Sequence, residues 1–290
     1  MTLKLKDATV AIFGLGLMGG SLGLALAGKC ARRIGVVRDV EMVEQAEKSG
    51  AVDEVVDMEE AFPIADIVVL AVPVRDIAFW VPHAAARMRE GALLTDLGST
   101  KGEIVAAMDG ISGNLRAVGG HPMCGKETGG LANADASLFC EARYVLTETA
   151  RSDESAIDLA RQLALAVGAV PVLLDAERHD RAVGAASHLP YVMAQCLVHA
   201  FMDAERAEPY VAELAASGFR DTTRVAAGDV TMWHDILLTN ADSVRDAMGR
   251  LDRQMQQLRS LLEDDPAKLR GWLAAGQRRR QAFAPPAPSD

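Results

Sequence analysis

Short apolar runs alternate with segments of helical periodicity through residues 1–175. The β-branched run at 8–13 predicts a buried strand, and the apolar segment at 20–28, which ends in glycine, predicts the following helix. Later runs of the same two kinds predict strands at 33–37, 66–73, 91–96, 143–147 and 169–175 and helices at 40–49 and 155–166. Strands that alternate with helices imply right-handed crossovers, so we expect a mainly parallel, Rossmann-like doubly wound α/β sheet.

After Asp175 the strand pattern ends, and helical periodicity covers most of the remaining chain. The helical segments are 176–204, 210–216, 231–262 and 266–281. One face of the third segment carries an apolar stripe, formed by Met248, Leu251, Met255, Leu258 and Leu262. Such a stripe usually packs in a core. We therefore predict a Rossmann domain at 1–175, an all-α C-terminal domain at 176–282 and a disordered tail at 283–290.

The first strand leads into a glycine-rich turn, Gly14-Leu-Gly16-Leu-Met-Gly19, directly before the first helix. Strand, G-x-G-x-x-G and helix in this order form the dinucleotide-binding fingerprint. Gly14 permits the tight turn, Gly16 lets the backbone approach a pyrophosphate, and Gly19 allows close packing of helix on strand. With Leu17 and Met18 between them, these glycines are the candidate cofactor-binding residues. A glycine-rich turn within a core is the structural alternative.

The end of the second strand determines which dinucleotide is favoured. An acidic residue there holds the ribose 2′-hydroxyl of NAD, whereas an arginine pairs with the 2′-phosphate of NADP. Arg38 directly follows this strand, and Asp39 comes one residue later. We expect Arg38 to take the position, which favours NADP over NAD. A shift of one residue would place Asp39 at the ribose and favour NAD.

The charge of the chain excludes some classes of partner. Its 290 residues carry a formal net charge of -10, whereas a protein that binds nucleic acid needs a basic surface. An anionic membrane surface is disfavoured for the same reason. The apolar stretch at 8–27 resembles a signal peptide or a membrane span, but the dinucleotide-binding turn explains its glycines better. The four cysteines lack C-x-x-C spacing, which indicates reduced thiols of a cytoplasmic protein and no metal site.

Two polar segments lie near the expected carboxyl edge of the sheet, where such folds bind ligands. Ser99 and Lys101 follow the strand at 91–96. Capping of a helix is the structural alternative for Ser99. His121 lies between a glycine pair and Pro122, in what we expect to be an irregular loop. A histidine held in a loop over a sheet favours a role as acid or base.

A third polar region lies in the helical half. Its first segment is Ser187-His188-Leu-Pro190-Tyr191, and its second runs from Ser217 to Arg224. His188 fits an ordinary core position. The two arginines of the second segment flank Asp221, which suits either a surface ion pair or the binding of a substrate carboxylate.

Together these segments resemble the prephenate/arogenate dehydrogenase family, the cyclohexadienyl dehydrogenases of tyrosine biosynthesis. The first matching motif, G-L-G-L-M-G-G-S, is common to Rossmann enzymes, whereas the other four in combination are specific. The motifs occur in order at Gly14–Ser21, Asp96–Gly102, Gly119–Glu127, Ser187–Pro190 and Ser217–Arg224.

The resemblance implies the oxidative decarboxylation of a cyclohexadienol, either prephenate or arogenate. A hydride leaves ring carbon C4 for the nicotinamide, carbon dioxide leaves C1, and the ring becomes aromatic without a metal. His121 would accept the proton of the C4 hydroxyl, and Ser99, at the mouth of the cofactor site, would hydrogen-bond the same hydroxyl. Arg224 would bind a substrate carboxylate, and Glu127 would help to shape the pocket. His188 and Asp221 resemble positioning groups at the substrate.

Residue 191 departs from the family pattern, and residue 38 is one at which members of the family differ. Many relatives carry a histidine where this chain has Tyr191, at the substrate or tyrosine site, so the substrate side chain and inhibition by tyrosine stay open. Arg38 resembles NADP-using, arogenate-preferring members. The family also implies a homodimer packed through the apolar stripe of the helical domain.

Two other functions are compatible with a Rossmann domain followed by helices. A β-hydroxyacid-type dehydrogenase relies on a lysine early in its second domain, and the segment 179–195 contains none. A non-catalytic NAD(P)-binding sensor would not need Ser99, His121 and Arg224 to occur together. We therefore favour the prephenate/arogenate dehydrogenase.

Overall fold

The computed structural model describes residues 3–37, 40–126 and 128–283. Its strands are β1 (Thr9–Phe13), β2 (Arg32–Val36), β3 (Glu54–Val55), β4 (Ile67–Leu70), β5 (Leu93–Asp96), β6 (Arg116–Pro122), β7 (Arg143–Glu148) and β8 (Val170–Leu173). The described strands form one sheet in the order β3-β2-β1-β4-β5-β6-β7-β8. Only β6 and β7 are antiparallel neighbours among them. The mainly parallel sheet predicted from the sequence is thus confirmed.

Helices cover both faces of the sheet, which explains why its central strands are apolar at nearly every position. The helices between the strands are α1 (Leu17–Ala25), α2 (Val40–Ser49), α3 (Met58–Ala61), α4 (Val74–Ala85), α5 (Gly102–Asp109) and α6 (Glu154–Ala166). Val10 and Ile12 of β1 pack in the core with α1 and α6. Ala11 and Phe13 pack on the opposite side with α4 and α5.

The glycines before His121 form a strand and not the irregular loop expected from the sequence. They lie within β6, where His121 is opposite Val145 of the antiparallel strand β7. A side chain at Gly120 would collide with the carbonyl oxygen of Asp96 at the end of β5. The glycine is therefore required by close packing of the neighbouring backbone.

Only helical elements follow β8 within the described residues. They are α7 (Ala176–Val183), α8 (Leu189–Ala207), α9 (Tyr210–Leu214), α10 (Ser217–Thr223), α11 (Val230–Thr239), α12 (Ala241–Asp264) and α13 (Pro266–Ala282). A π-helical turn at Gly184–His188 joins α7 to α8, and a 3-10 helix at Arg224–Ala227 follows α10. Further 3-10 turns lie at Leu5–Asp7 and Leu131–Asn133.

Two helical predictions differ from the structure. The segment predicted as one helix at 231–262 is divided at Asn240, whose backbone leaves the helical conformation. The apolar stripe does not form a core within one chain, because Met248, Met255 and Leu262 are 37%, 42% and 63% exposed. The division into two domains at residue 175 stays a prediction. Of the expected tail, only Phe283 lies within the described residues.

Candidate active site

The glycine-rich turn has the geometry that a dinucleotide fingerprint requires. Gly14 directly follows β1 and has a φ of 96°, and a Cβ there would lie 2.7 Å from the carbonyl oxygen of Ala71. A Cβ at Gly19 would collide with the carbonyl oxygen of Gly14, so α1 can approach Gly14 this closely only because residue 19 has no side chain. In contrast, a Cβ at Gly16 would have no described heavy atom within 4 Å. Backbone packing thus restricts two of the glycines, and the third faces open space.

The open space at Gly16 fits the pyrophosphate of a dinucleotide. Gly16 is the N-cap of α1, and no described side chain caps this helix, so its first N–H groups are available to an anion. The first turn of α1 contains no acidic residue, and its Leu17 and Met18 are half-buried. The predicted residues Arg38 and Glu127 lie outside the described residues.

A buried ion pair stabilises the carboxyl end of β5. Asp96 and Lys101 are both completely buried, and the ammonium of Lys101 donates to Oδ2 of Asp96. The same carboxylate accepts the backbone N–H groups of Gly98 at 2.8 Å and Gly120 at 2.9 Å. Burial lowers the pKa of Lys101, although the charge of Asp96 opposes this shift. The pair thereby joins the loop that contains Ser99 to β6, one residue before His121.

His121 begins a chain of three hydrogen-bonded groups. Its Nδ1 lies 2.8 Å from Nε2 of His179, and Nδ1 of His179 lies 2.7 Å from Oδ1 of Asp180. All three side chains are buried. Sequence reasoning found His121 but missed the other two. An adjacent histidine and aspartate at the start of the helical half was a signal that could have found them.

Asp180 connects α7 to the loop that contains Ser99. Its two carboxylate oxygens accept the backbone N–H groups of Lys101 and Gly102, each at 2.8 Å, at the start of α5. Burial alone would raise the pKa of Asp180, but hydrogen bonds from His179 and from these two backbone groups lower it below its usual value. A carboxylate ion therefore faces His179.

The surroundings of His121 keep its imidazole neutral. Burial lowers the pKa of His121 well below its usual value, and electrostatic interactions with His179, the Lys101 ammonium and His188 act in the same direction. His188 ends the π-helical turn and is also buried. Its burial lowers its pKa to about 4, although the charge of Asp180 opposes the shift.

Tyr191 belongs to an aromatic cluster in the helical half of the chain. Its ring stacks on that of Trp233, with centroids 3.8 Å apart and planes inclined by 6°. Its hydroxyl accepts a hydrogen bond of 2.9 Å from Nε2 of Gln195, which also donates to the carbonyl oxygen of Ala226 at 3.0 Å. His188 packs edge-on against Trp233, with centroids 6.1 Å apart. Tyr191 and His188 therefore both pack against Trp233.

The structure does not bring every predicted site residue into this cluster. Arg224 is exposed, and Asp221 pairs at the surface with Arg220 at 3.4 Å. Ser99 is half-buried and follows β5, which pairs with β6, the strand that carries His121. The histidines and Tyr191 thus form the buried part of the candidate site, and Arg224 and Asp221 lie in its exposed surroundings.

Comparison with known proteins agrees with this architecture. Two family models match the chain: the nucleotide-binding domain of prephenate dehydrogenase over residues 22–173 and the dimerization domain of prephenate dehydrogenase over residues 175–274. A prephenate dehydrogenase of Lactococcus lactis subsp. cremoris is 34% identical over 279 residues, which cover 94% of this chain and 77% of that protein. The chain belongs to the prephenate dehydrogenase family.

Solved structures of this family are similar over nearly the whole chain. A prephenate dehydrogenase from A. aeolicus, in complex with hydroxyphenyl propionate and NAD+, is 30% identical with a TM-score of 0.89 and covers 96% of this chain and 99% of its own. An arogenate dehydrogenase from Synechocystis is 26% identical with a TM-score of 0.82, over 95% of this chain and 100% of its own.

Membership of the prephenate dehydrogenase family confirms the predicted fold class and the predicted enzyme, a nicotinamide-dependent prephenate or arogenate dehydrogenase. It leaves the β-hydroxyacid-type dehydrogenase and the non-catalytic sensor without support.

In the described part of the chain, no helix meets the length and hydropathy required to span a membrane. The described residues also contain no cluster of three or more histidine, cysteine or acidic side chains that could hold a metal ion.

Proposed function

We propose that this enzyme uses the chain His121–His179–Asp180 to remove the proton of the ring hydroxyl of prephenate or arogenate. The observation that carries the proposal is the continuous series of short hydrogen bonds from a buried carboxylate to His121. When bound, the nicotinamide would supply the acceptor for the hydride that leaves C4, the ring carbon that carries this hydroxyl. The residues of the protein then have to accept the proton, orient the ring and exclude water.

In this proposal, the hydrogen-bond pattern favours Nε2 of His121 as the nitrogen that acts as the base. The carboxylate of Asp180 only accepts, so Nδ1 of His179 carries a proton. In the neutral ring, Nε2 of His179 then accepts from Nδ1–H of His121. Nε2 of His121 is thereby left with a free lone pair for the substrate hydroxyl. As His121 becomes positively charged, the carboxylate of Asp180 stabilises that charge through His179.

The other predicted residues hold the substrate around His121 in this proposal. Ser99 donates to or accepts from the same ring hydroxyl, and Arg224 binds a substrate carboxylate. The hydrogen bond from Gln195 to Ala226 supports the second role, because it holds the 3-10 helix that begins at Arg224 against α8. The remaining predicted substrate-binding residues are Glu127, His188, Tyr191 and Asp221.

NADP is the cofactor that we propose, because Arg38 follows β2 in sequence and a guanidinium suits a 2′-phosphate. Initial rates of cofactor reduction should show a higher kcat/KM with NADP than with NAD, for prephenate, arogenate or both. The substitution Arg38→Ala should raise the KM for NADP about tenfold or more and leave that for NAD unchanged. A wild-type preference for NAD would instead place Asp39 at the ribose. No turnover with any pair would contradict the proposed function.

The rate should persist at pH values where an ordinary histidine is already protonated. A base must be neutral to accept a proton, and the pKa of His121 lies well below 6.5 because the ring is buried. We therefore expect kcat/KM to fall only when the pH drops through that lowered pKa. The measurement is a pH profile of kcat/KM, with enzyme incubated at each pH and assayed again at neutral pH as the control for unfolding. A loss of activity centred at 6.5 or above would contradict the assignment.

We also propose that the chain forms a homodimer through the apolar stripe on α12. A dimerization-domain model matches this region, and Met255 within the stripe is 42% exposed in the single chain. The substitution Met255→Lys should weaken the dimer by about 100-fold or more, because a symmetric interface buries the new charge twice. Light scattering coupled to gel filtration measures the change. The exposed residue Gln257 provides the control Gln257→Lys, which should remain dimeric.

A further inference from the structure

A buried asparagine connects the chain that begins at His121 with His188. Asn240 separates α11 from α12, and its side chain is turned into the protein, with 5% of the residue exposed. Its Nδ2 lies 2.8 Å from the backbone carbonyl oxygen of Asp180 and 3.1 Å from Nδ1 of His188. One amide group therefore contacts two of the segments that form the proposed site.

The chemistry of these two contacts determines the position of the proton on His188. A carbonyl oxygen can only accept, so the nitrogen of the Asn240 amide, and not its oxygen, faces Asp180. The second N–H of the same group then points to Nδ1 of His188. A nitrogen that accepts a hydrogen bond carries no proton, so the neutral ring has its proton on Nε2.

We propose that Asn240 is a positioning residue that holds His188 as the Nε2–H tautomer and thereby makes it a hydrogen-bond donor to the substrate. The inference rests on the proposed function for the identity of the substrate, but the tautomer itself does not depend on it. Burial lowers the pKa of His188 to about 4, so the ring is neutral at the pH of the reaction and carries its single proton on one of its two nitrogens. His188 packs edge-on against Trp233, on which the predicted substrate-binding residue Tyr191 stacks, and this shared neighbour supports a role for His188 at the substrate.

The alternative is that Asn240 only joins two helices and that His188 has no fixed tautomer. Nitrogen-15 NMR of the full chain, labelled at histidine and saturated with NADP, distinguishes the two. His188→Gln assigns the signal by its disappearance. We expect the proton on Nε2 in the wild type. In Asn240→Asp the new carboxylate only accepts, so the proton should move to Nδ1. The matched control is Asn114→Asp, in the exposed turn after α5, which should leave the tautomer unchanged.

A proton on Nδ1 in the wild-type spectrum would overturn the proposal, and so would an unchanged tautomer in folded Asn240→Asp. If Asn240→Asp does not fold, the wild-type tautomer and a pair of His188 variants decide. Glutamine reaches about as far as Nε2 and keeps a donor there, whereas asparagine reaches only as far as Nδ1. His188→Asn should therefore raise the substrate KM about tenfold over His188→Gln, with kcat less affected. Equal KM values for the two variants would overturn the donor role.

A wild-type enzyme without turnover would refute the proposed function while leaving the NMR result intact.

Discussion

Substituting His121 with asparagine is expected to lower kcat by about 10³-fold while the affinity for the dinucleotide stays within about a factor of two. The amide of asparagine can take the place of Nδ1–H and donate to His179, so the buried chain of hydrogen bonds should persist. No group then remains at the position of Nε2 to accept the proton of the ring hydroxyl. The loss should appear in kcat, because the base acts mainly in the transition state.

The measurement combines steady-state rates with titration of the dinucleotide by fluorescence. The matched control is His199→Asn, an exposed histidine on α8 outside the proposed site, which should retain the wild-type rate. If the His121 variant keeps more than about a tenth of the wild-type kcat, His121 is not the general base. Binding of the dinucleotide without turnover in both wild type and variant would instead favour a non-catalytic sensor.

The sheet and the nucleotide-binding turn were predictable because their information is local in the sequence. The β-branched run before Gly14 and the glycine spacing within one turn describe a strand, a turn and a helix without reference to distant residues. The same local reasoning failed at Gly120. There the glycine results from the proximity of Asp96, 24 residues away, and no neighbouring residue in the sequence indicates that contact.

The hydrogen-bonded chain His121–His179–Asp180 could be predicted only in part, for the same reason. His121 stood out through its glycine and proline neighbours, but its partner His179 is 58 residues further along the chain. His179 and Asp180 lie in a segment predicted to be helical, where they resemble ordinary polar residues. Helical periodicity does not show which face of that helix will contact a strand of the sheet. Family resemblance pointed to His121 and Ser99, and the structure adds the groups that set the tautomer and the charge of His121.

A similar limit applies to Lys101. The sequence placed it only in a polar segment after the strand at 91–96, and lysine is rarely buried. In the structure it is completely buried against Asp96, and its charge contributes to the lowered pKa of His121. This ion pair therefore acts on both stability and the proposed chemistry, and the two effects can be measured separately.

Substituting Lys101 with methionine is expected to destabilise the protein by about 3–5 kcal/mol. The change leaves the carboxylate of Asp96 completely buried, and its remaining hydrogen-bond partners among the described residues are the backbone N–H groups of Gly98 and Gly120. Urea unfolding measures the loss of stability. In the folded fraction, removal of the ammonium should raise the pKa of His121, so the acid limb of kcat/KM should move to higher pH.

The double variant Asp96→Asn/Lys101→Met distinguishes a broken ion pair from a simple change of side-chain size. Neutralising Asp96 removes the unpaired buried charge, so the double variant should be less destabilised than the sum of the two single variants. The exposed pair of Lys48 and Glu44 provides a matched control, since Lys48→Met should leave the unfolding midpoint unchanged. If the double variant loses as much unfolding free energy as the two single variants together, the charges of Asp96 and Lys101 do not stabilise each other. The position of β6 would then depend on the hydrogen bond from Gly120 to Asp96 and not on the ammonium of Lys101.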